Sequence, residues 1–376
     1  MEKSILFVGG SSGSGHIQAA QNLIKSIKHI DTSVEAEFIN IFDYLSPFAR
    51  FILEDLWEFS SLHLESLYRF THNAIVKNKY LSDIIKRRFI ATTNRIAPIF
   101  LDKKFFVYVA THPAAAIIGS LLKHRHNFIF SVVPTDFVLH NFHFYPEVDF
   151  YYLPPDCSVI GLTPHAENYH RKSLITGIPI SPAFWDEKNE IELRKEFGLS
   201  PDRLTVLISF GGKGLGAEKH INMLRVLLKL ALPLQFIIIA GENRPFEIKL
   251  RELLSIEKNN RRVKIFGFVK NMADIMTASD IFIGKAGGLS LSEALAKGLP
   301  IAILESLPGQ EDYNTTFIVS NNLGIKVNNQ TDLVQWLHSL LSLKALSEWK
   351  NRVKNFGRPF SGYDIASHIL GTIKIY

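Results

Sequence analysis

A short apolar run near the start of the chain leads directly into a loop of glycine and serine residues. The run Ile5–Val8 is followed by Gly9-Gly10-Ser11-Ser12-Gly13-Ser14-Gly15, and His16 then opens an amphipathic stretch. This order predicts a buried strand, a tight turn and the N-terminus of a helix. Glycines let backbone amides approach a ligand closely, and the helix dipole favours negative charge there. The segment therefore indicates a ligand site at the end of the first strand.

The spacing of this loop disfavours a nicotinamide-dependent dehydrogenase. No third glycine follows His16 at the required distance, and the second predicted strand ends near Asn40 rather than at an acid that would bind a ribose. A histidine at the mouth of such a loop suits a general base, because its pKa lies near neutrality. The alternative is a histidine that only caps the helix or fills the core.

Short β-branched and aromatic runs alternate with helical patterns along the whole chain. This alternation predicts parallel sheets joined by crossover helices. Two such series, each opening with a strand and a glycine-rich turn, indicate two Rossmann-like halves. The predicted strands are residues 5–8, 34–41, 105–109, 128–133, 150–153 and 174–176 in the first series, and residues 204–210, 235–240, 263–266, 281–283, 301–304 and 324–327 in the second.

A chain of 376 residues has room for two domains with full-sized cores. The stretch 177–182, Gly-Ile-Pro-Ile-Ser-Pro, contains two prolines that stiffen a short linker. We therefore predict an N-terminal domain over residues 1–178 and a C-terminal domain over residues 179–357. The final residues, 358–376, are expected to form a helix that packs back on the N-terminal domain.

Cysteine content and hydropathy indicate a cytoplasmic protein. The single cysteine, Cys157, excludes a disulfide framework and a thiolate metal site. No signal peptide is expected, because Met1-Glu2-Lys3 runs straight into the first strand. The longest apolar stretch, residues 105–122, contains His112 and Pro113 and predicts a strand, a turn and a helix rather than a membrane-spanning helix.

The net charge of +6 is unevenly distributed along the chain. Residues 44–70 are rich in large apolar side chains, and residues 77–104 carry eight Lys and Arg against only Asp83 and Asp102. An aromatic-rich amphipathic segment followed by a basic cluster suits a peripheral protein on anionic lipid, here at the inner face of the cell membrane. Two core helices and a solvated helix face are the alternative. No nucleic-acid partner is expected, because no reader motif accompanies the charge.

The second series carries its own ligand signals. A glycine-rich turn at residues 211–216 follows a predicted strand, and its amides are placed to receive a diphosphate. A second turn, residues 284–288, leads into a helix that contains Glu293, which would either cap that helix or accept the hydroxyls of a ribose. The polar cluster 307–314 follows the next strand, at the edge of a parallel sheet where ligands bind.

Six segments in this order resemble the monogalactosyldiacylglycerol synthase and diacylglycerol glucosyltransferase family. They are Ser14-Gly15-His16, Gly177-Ile178-Pro179, Gly211-Gly212, Gly267-Phe268-Val269, the block from Gly287 to Glu293, and Pro308-Gly309-Gln310-Glu311. The resemblance implies an α/β protein of the GT-B fold, in which two Rossmann-like, doubly wound parallel-sheet domains face each other across a cleft. It also implies an inverting enzyme that needs no metal or other cofactor, and the sequence lacks the Asp-x-Asp pair of metal-dependent glycosyltransferases.

The resemblance also implies roles for individual residues. His16 would be the base, with Gly13, Ser14, Gly15, Asp136 and His140 on the acceptor side. Ser181 stands where relatives often carry an arginine, and Lys213 interrupts a turn that is usually richer in glycine. The residues expected to bind the UDP-sugar are Gly211, Gly212, Lys213, Phe268, Val269, Gly288, Leu289, Ser290, Ser292, Glu293, Gln310 and Glu311.

Three functions remain open from the sequence. The first is a UDP-hexose-dependent transferase that acts on diacylglycerol or a glycolipid at an anionic membrane surface. The second is a protein of the same fold that uses a lipid-linked cell-wall precursor or epimerises a UDP-sugar. The third is a sensor that binds a UDP-sugar without catalysis, against which His16 argues. His140 and His143 near Asp136 mimic a metal site, but no further ligand has convincing spacing, so no metal is expected.

Overall fold

The computed structural model describes residues 4–11, 13–51, 74–75, 79–103, 105–160, 169–256, 262–306 and 309–375. The chain divides into two compact units. The first comprises Met1–Pro182, Leu307–Asn314 and Phe360–Tyr376, and the second comprises Ala183–Ser306 and Thr315–Pro359. The first unit therefore continues four residues beyond the predicted joint and takes in a short segment from the later part of the chain.

The first unit is built on a six-stranded parallel sheet with the order β2-β1-β3-β4-β6-β8. A further parallel pair, β5 and β7, lies outside this sheet. The strands are β1 Ser4–Gly9, β2 Glu35–Asn40, β3 Val107–Ala110, β4 Ile129–Val132, β5 Val138–His140, β6 Phe150–Leu153, β7 Ser158–Ile160 and β8 Ser173–Ile175. The helices that the structure describes before residue 183 are α1 Gly15–Ile30, α2 Pro47–Arg50, α3 Lys79–Arg88, α4 Ile90–Asp102 and α5 Pro113–Lys123.

Both faces of this sheet are covered, which explains why most of its strands are apolar, although the edge strand β2 also contains Glu35, Glu37 and Asn40. In β1, Leu6 and Val8 pack into one core while Ile5 and Phe7 pack into another, because alternate side chains of a strand point to opposite faces. The sheet is therefore doubly wound. The stretch 105–122 forms β3, a turn and α5, as its sequence predicts.

The second unit contains another six-stranded parallel sheet, with the order β11-β10-β9-β12-β13-β14. Its strands are β9 Leu204–Ser209, β10 Leu234–Ile239, β11 Val263–Phe266, β12 Ile281–Lys285, β13 Ile301–Glu305 and β14 Gly324–Lys326. The helices are α6 Glu190–Glu196, α7 Ile221–Lys229, α8 Arg244–Ile256, α9 Met272–Thr277, α10 Gly288–Ala296, α11 Gln310–Ser320, α12 Gln330–Ser339 and α13 Leu343–Phe356. Helix α11 begins in the segment that belongs to the first unit.

The last helix, α14 (Ser361–Ile375), belongs to the first unit. Its apolar residues Ile365 and Ile369 are buried in the same core as Leu23 and Ile27 of α1. The helix begins beside the linker, where the Ser361 hydroxyl donates to the Ile178 carbonyl at 2.8 Å. The two helices therefore cover one face of the first sheet together.

All twelve predicted strands are present, with ends that differ from the prediction by two residues at most. The pair β5 and β7 has no counterpart in the prediction. Short 3-10 helices occupy Ile41–Tyr44, Tyr169–Lys172, Pro182–Phe184 and Ala217–His220. Among the helices that the structure describes, none combines the length and the apolar character needed to cross a bilayer.

Candidate active site

The loop between β1 and α1 places His16 in the first turn of the helix. Gly10 has no space for a side chain, because a Cβ there would lie 2.5 Å from the ring of Phe42. Gly13 has a φ of 91°, a conformation that favours glycine. Ser14 precedes the helix and Gly15 is its first residue. The glycines therefore allow the chain to turn sharply and bring His16 to the carboxyl edge of the sheet.

His16 is held at one ring nitrogen by two oxygens. Its Nδ1 lies 2.7 Å from the Thr111 carbonyl oxygen and 2.8 Å from the Thr135 hydroxyl oxygen. A carbonyl oxygen only accepts hydrogen bonds, so Nδ1 must carry the proton. In the neutral ring the lone pair is then on Nε2. This is the tautomer that a general base requires if Nε2 is the atom that takes the proton.

Thr111 is itself fixed at the end of β3. Its amide donates to the Val8 carbonyl at 2.9 Å, and its hydroxyl donates to the His16 carbonyl at 3.0 Å. A Cβ on Gly9 would lie 2.9 Å from that hydroxyl, so glycine is required for this close approach. The carboxyl ends of β1 and β3 are neighbours in the sheet, and together they set the orientation of the imidazole.

Burial lowers the pKa of His16 below its ordinary value of 6.5. The Asp136 carboxylate and the Thr111 hydrogen bond act in the opposite direction, since both favour the protonated ring. The net result is an imidazole that is mostly neutral at pH 7. A half-buried neutral histidine with a fixed tautomer is suited to accept a proton without first losing one.

Further histidines lie beside His16. The ring of His112 meets the ring of His16 edge to face at 4.6 Å, and its Nδ1 accepts from the Ala114 amide at the start of α5. Burial holds the pKa of His112 well below 6.5 and lowers the pKa of His143 to about 3. Both rings are therefore neutral at physiological pH and act as packing and capping groups rather than as charges.

His140, predicted on the acceptor side, is only 3% exposed. Its backbone amide donates to Nδ1 of His143 at 3.2 Å, and the two rings lie 4.2 Å apart. Its position at the end of the short strand β5 explains the burial. Within the described ranges, no group of three or more His, Cys, Asp or Glu side chains is arranged to hold a metal ion.

Asp136 is tied to the segment at the start of α11. The Asn314 amide donates to the Asp136 carboxylate at 2.7 Å, and the Asn314 side-chain oxygen accepts from the Phe137 amide at 2.8 Å. The predicted sugar-binding residues Gln310 and Glu311 are the first two residues of that helix. They therefore belong to the same unit as His16, whereas the sequence placed them with the C-terminal domain.

In the second unit the turn after β9 contains the predicted residues Gly211, Gly212 and Lys213. Gly211 has a φ of 79°, and a Cβ on Gly241 would lie 2.4 Å from the Gly212 carbonyl oxygen. Helical residues follow this turn from Ala217 onwards. The 3-10 turn Ala217–His220 comes first, and α7 begins only at Ile221.

Packing of an aromatic pair stabilises the 3-10 turn Ala217–His220. His220, its last residue, stacks on Phe210 with ring centroids 5.2 Å apart and 14° between the planes. Gly216, just before the turn, has a left-handed φ of 77°. The loop amides are consequently not at the N-terminus of α7, and they offer dipoles to a ligand without the help of that helix.

The second predicted turn leads to α10, which begins at Gly288 after Gly287. Leu289, Ser290 and Ser292 lie in its first turns, and Glu293 is its sixth residue. The alternative that Glu293 caps this helix is wrong, because the first turn contains no acidic residue. Burial raises the pKa of Glu293 to about 8. A carboxyl group that is costly to ionise inside the protein is more often found at a binding site than in a purely structural role.

Phe268 and Val269, predicted to line the uracil pocket, follow the carboxyl end of β11. The Phe268 side chain is 54% exposed and Val269 is half-buried. The turn after β9, the turn after β12 and this segment all lie at the same edge of the second sheet, because every strand in it is parallel. The structure therefore brings the predicted nucleotide residues of the second unit to one edge.

Several residues of the first site were not in the predicted set: Thr111, His112, Thr135 and Asn314. Thr111, His112 and Thr135 follow the carboxyl ends of β3 and β4, where a parallel sheet exposes polar groups. That rule gives a usable signal for these three. Asn314 lies in the polar cluster 307–314 noted in the sequence, but its contact with Asp136 has no such signal, since it joins positions 178 residues apart.

Comparisons with known proteins agree with this organisation. Residues 16–180 match the family model of monogalactosyldiacylglycerol (MGDG) synthase, and residues 208–355 match that of the glycosyltransferase family 28 C-terminal domain. A processive diacylglycerol beta-glucosyltransferase of Bacillus licheniformis is 25% identical over 365 residues, which cover 94% of this chain and 91% of that protein. The N-terminal part of the chain is thus similar to MGDG synthases, and the C-terminal part to family 28 glycosyltransferases.

Solved structures show that this chain has the GT-B fold. MurG of Acinetobacter baumannii superposes with a TM-score of 0.59 at 13% identity, covering 98% of this chain and 99% of that one. A UDP-GlcNAc 2-epimerase of Neisseria meningitidis, bound to UDP-GlcNAc, gives a TM-score of 0.59 at 15% identity and covers 99% of this chain and 100% of that one. The fold alone therefore does not separate transfer from epimerisation.

Proposed function

We propose that this glycosyltransferase moves a hexose from a UDP-sugar to diacylglycerol or a glycolipid, with inversion at the anomeric carbon and without a metal or other cofactor. The observation that carries the proposal is the state of His16, a neutral imidazole with its proton on Nδ1. An acceptor hydroxyl has a pKa far above 7, so a base is useful as the new bond forms. The named activity of the Bacillus relative supports diacylglycerol as the acceptor.

The proposed reaction is a single displacement. The acceptor oxygen attacks the anomeric carbon while its proton passes to Nε2 of His16. The bond from that carbon to the diphosphate oxygen breaks, and UDP leaves with the electron pair. His16 becomes an imidazolium ion, whose charge the Asp136 carboxylate stabilises. Attack from the side opposite the leaving group inverts the configuration.

The second unit is proposed to bind UDP. Glu293 accepts hydrogen bonds from the ribose hydroxyls. Phe268 and Val269 contact the uracil. The turn at Gly211 and Gly212 approaches the diphosphate. The N-terminus of α10 directs amide dipoles at the same group. Lys213 adds a positive charge in the turn. Fixed dipoles and a cation are sufficient in this proposal to stabilise the charge that accumulates on UDP.

Membrane docking is proposed for the exposed side of α3 and its surroundings. Phe51, Ile84 and Ile90 are exposed apolar residues, and Arg87 and Arg88 are exposed cations. Residues 52–70 of the predicted apolar segment lie outside the described residues, as do Lys77 and Lys104 of the predicted basic cluster.

Part of the predicted basic cluster makes contacts within the protein. Lys103 pairs with Glu37 at 2.5 Å, and Arg95 donates to the Tyr44 carbonyl at 3.0 Å. Lys86 lies 5.0 Å from the centre of the Tyr145 ring. Arg87 and Arg88 are therefore the cations that we assign to the lipid surface.

The test is incubation with UDP-glucose, UDP-galactose and UDP-N-acetylglucosamine, each with diacylglycerol vesicles and with EDTA present. Mass spectrometry identifies the product, and NMR of the anomeric proton gives its configuration. A β-linked glycolipid that forms in EDTA is expected. Conversion of a UDP-sugar to its epimer without an acceptor would instead support the epimerase alternative, which the fold comparison favours equally.

A further inference from the structure

Asn314 is a fully buried polar residue at an unusual junction of the first unit. It is the fifth residue of α11 and has 0% of its surface exposed. Its side-chain amide donates to the Asp136 carboxylate at 2.7 Å and accepts from the Phe137 amide at 2.8 Å. A carboxylate only accepts and a backbone amide only donates, so these partners fix both the position and the flip of the amide.

The two groups bound by Asn314 belong to the residues that directly follow Thr135, which contacts His16. Thr135 contacts Nδ1 of His16 at 2.8 Å and directly precedes Asp136. Burial lowers the pKa of His16, and the Asp136 carboxylate acts in the opposite direction by favouring the protonated ring. Asn314 thus fixes the end of the short segment from which Thr135 and Asp136 reach the imidazole.

Asn314 also determines where the start of α11 lies. Gln310 and Glu311 are four and three residues before it, so all three lie on one face of the helix. The turn before the helix is closed by Gly309, whose φ is 97° and whose amide donates to Asp312 at 3.3 Å. With Asn314 fixed at Asp136, the positions of Gln310 and Glu311 relative to His16 are fixed as well.

We propose that Asn314 is a positioning residue that joins the base and the sugar-contacting helix end into one rigid element. The proposal rests on the proposed function, in which His16 takes the proton and Gln310 and Glu311 contact the hexose. Its consequence is that the contacts proposed for the hexose lie in the unit that carries the base. Correct positioning of reacting groups within one element lowers the entropic cost of reaching the transition state.

The first test separates the hexose from UDP. Asn314→Ala should lower kcat by about tenfold or more and raise KM for the UDP-sugar severalfold, while the Kd of UDP in calorimetry stays within about twofold of wild type. Asn321→Ala is the matched control, because Asn321 directly follows the same helix and its side-chain amide donates to the local Phe317 carbonyl at 3.0 Å. Wild-type kcat and KM in a folded Asn314→Ala variant would overturn the proposal, as would an equal loss of UDP affinity.

The second test keeps the shape of the residue. In Asn314→Asp two carboxyl groups face each other, share one proton at low pH and repel when it is lost. We expect near wild-type kcat at low pH and a new loss of activity as pH rises, absent from wild type and from Asn321→Asp. This variant decides the question even if Asn314→Ala fails to fold. An unchanged pH profile overturns the proposal.

A failure of the proposed function can be distinguished from a failure of the positioning role of Asn314. An inactive His16→Ala with fully active Asn314 variants would remove only the positioning role, whereas an active His16→Ala would remove the base itself.

Discussion

The Nδ1 atom of His16 lies 2.7 Å from the carbonyl oxygen of Thr111, and this contact determines which nitrogen of the ring carries the proton. The carbonyl belongs to the residue that follows β3, and Thr111 is in turn bound to Val8 and to the His16 backbone. The orientation of the imidazole is therefore a property of the sheet edge. We expect the base to be in its reactive tautomer before any substrate binds.

Replacing His16 tests this role directly. His16→Ala should lower kcat by about a hundredfold or more and leave the Kd of UDP close to wild type, because a base acts mainly in the transition state. Calorimetry gives the Kd and a product assay gives kcat. His29→Ala, an exposed histidine of the same helix, is the control. Undiminished turnover by the alanine variant would remove His16 from catalysis.

The pH dependence of kcat follows from the pKa of His16. Burial lowers that pKa below 6.5, so activity should fall only as pH drops below 6.5, where the ring becomes protonated and cannot act as a base. Asp136 raises the pKa, so Asp136→Asn should move the acid limb to lower pH and reduce the plateau by about tenfold, since the imidazolium loses its partner. A limb that moves to higher pH would contradict this assignment.

The strands of the two six-stranded sheets could be predicted because both sheets are parallel and covered on both faces, which makes most of these strands short apolar runs between polar turns. The three-residue strands β5 and β7 could not, since they lie among polar residues and histidines near Asp136 and Cys157. The loop at His16 was recognisable from its glycines. The contacts of His16 with Thr111 and Thr135 span 95 and 119 residues, and only the tertiary fold determines them.

The same limit explains the position of Gln310 and Glu311. Their sequence lies among the segments of the second unit, and nothing in their composition distinguishes them from it. They belong to the first unit, as does Asn314, whose side chain donates to Asp136 and accepts from the Phe137 amide. Long-range polar contacts of single buried side chains are the part of this site that sequence periodicity does not encode.

Glu293 should control UDP affinity in a pH-dependent way. Burial raises its pKa to about 8, so the unbound protein holds it mostly protonated at pH 7. Ribose hydroxyls donate best to a carboxylate, so wild-type UDP affinity should increase between pH 6.5 and 8.5, while Glu293→Gln should show no such increase. Glu293→Ala should cost roughly 1–3 kcal/mol of UDP binding. Glu252→Gln is the control. If calorimetry gives the same UDP affinities for Glu252→Gln and Glu293→Gln across this pH range, Glu293 does not contact the ribose.

Glu293 also has a consequence for stability. Its pKa is higher in the folded chain than the value of about 4.3 expected when unfolded, so the folded protein binds more protons between these values. The contribution to stability is therefore full below about pH 4.3 and is lost as pH rises to about 8. Glu293→Gln should raise Tm at pH 8.5 more than at pH 5. An equal change in Tm at both pH values would contradict the raised pKa.

Asp280 should be important for the stability of the second unit. It is 4% exposed, and its carboxylate accepts from Arg194 at 2.5 Å, from Lys350 at 2.6 Å and from the Thr205 amide at 2.8 Å. Asp280→Ala leaves Arg194 buried without this partner, which typically costs about 3–5 kcal/mol. We expect a marked fall in Tm by calorimetry. Asp202→Ala, an exposed acid before β9, should leave Tm unchanged.

Membrane binding should depend on Arg87 and Arg88. Both are exposed at the end of α3, whereas Lys86 contacts Tyr145 and Lys103 pairs with Glu37. Each cation near an anionic surface contributes on the order of 1 kcal/mol, and salt screens that contribution. Reversing both arginines to Glu should therefore abolish sedimentation with vesicles that contain phosphatidylglycerol, and leave the Kd of UDP unchanged.

A matched charge change tests whether position or net charge matters. Lys249→Glu with Lys344→Glu alters the net charge of the protein equally, but on exposed residues of the second unit. This variant should keep most of the vesicle binding, and wild type should prefer anionic over neutral vesicles and lose that preference at high salt. Equal losses in the two variants would mean that only net charge matters. If wild type does not bind anionic vesicles at low ionic strength, α3 is only a solvated helix, and a soluble acceptor is favoured.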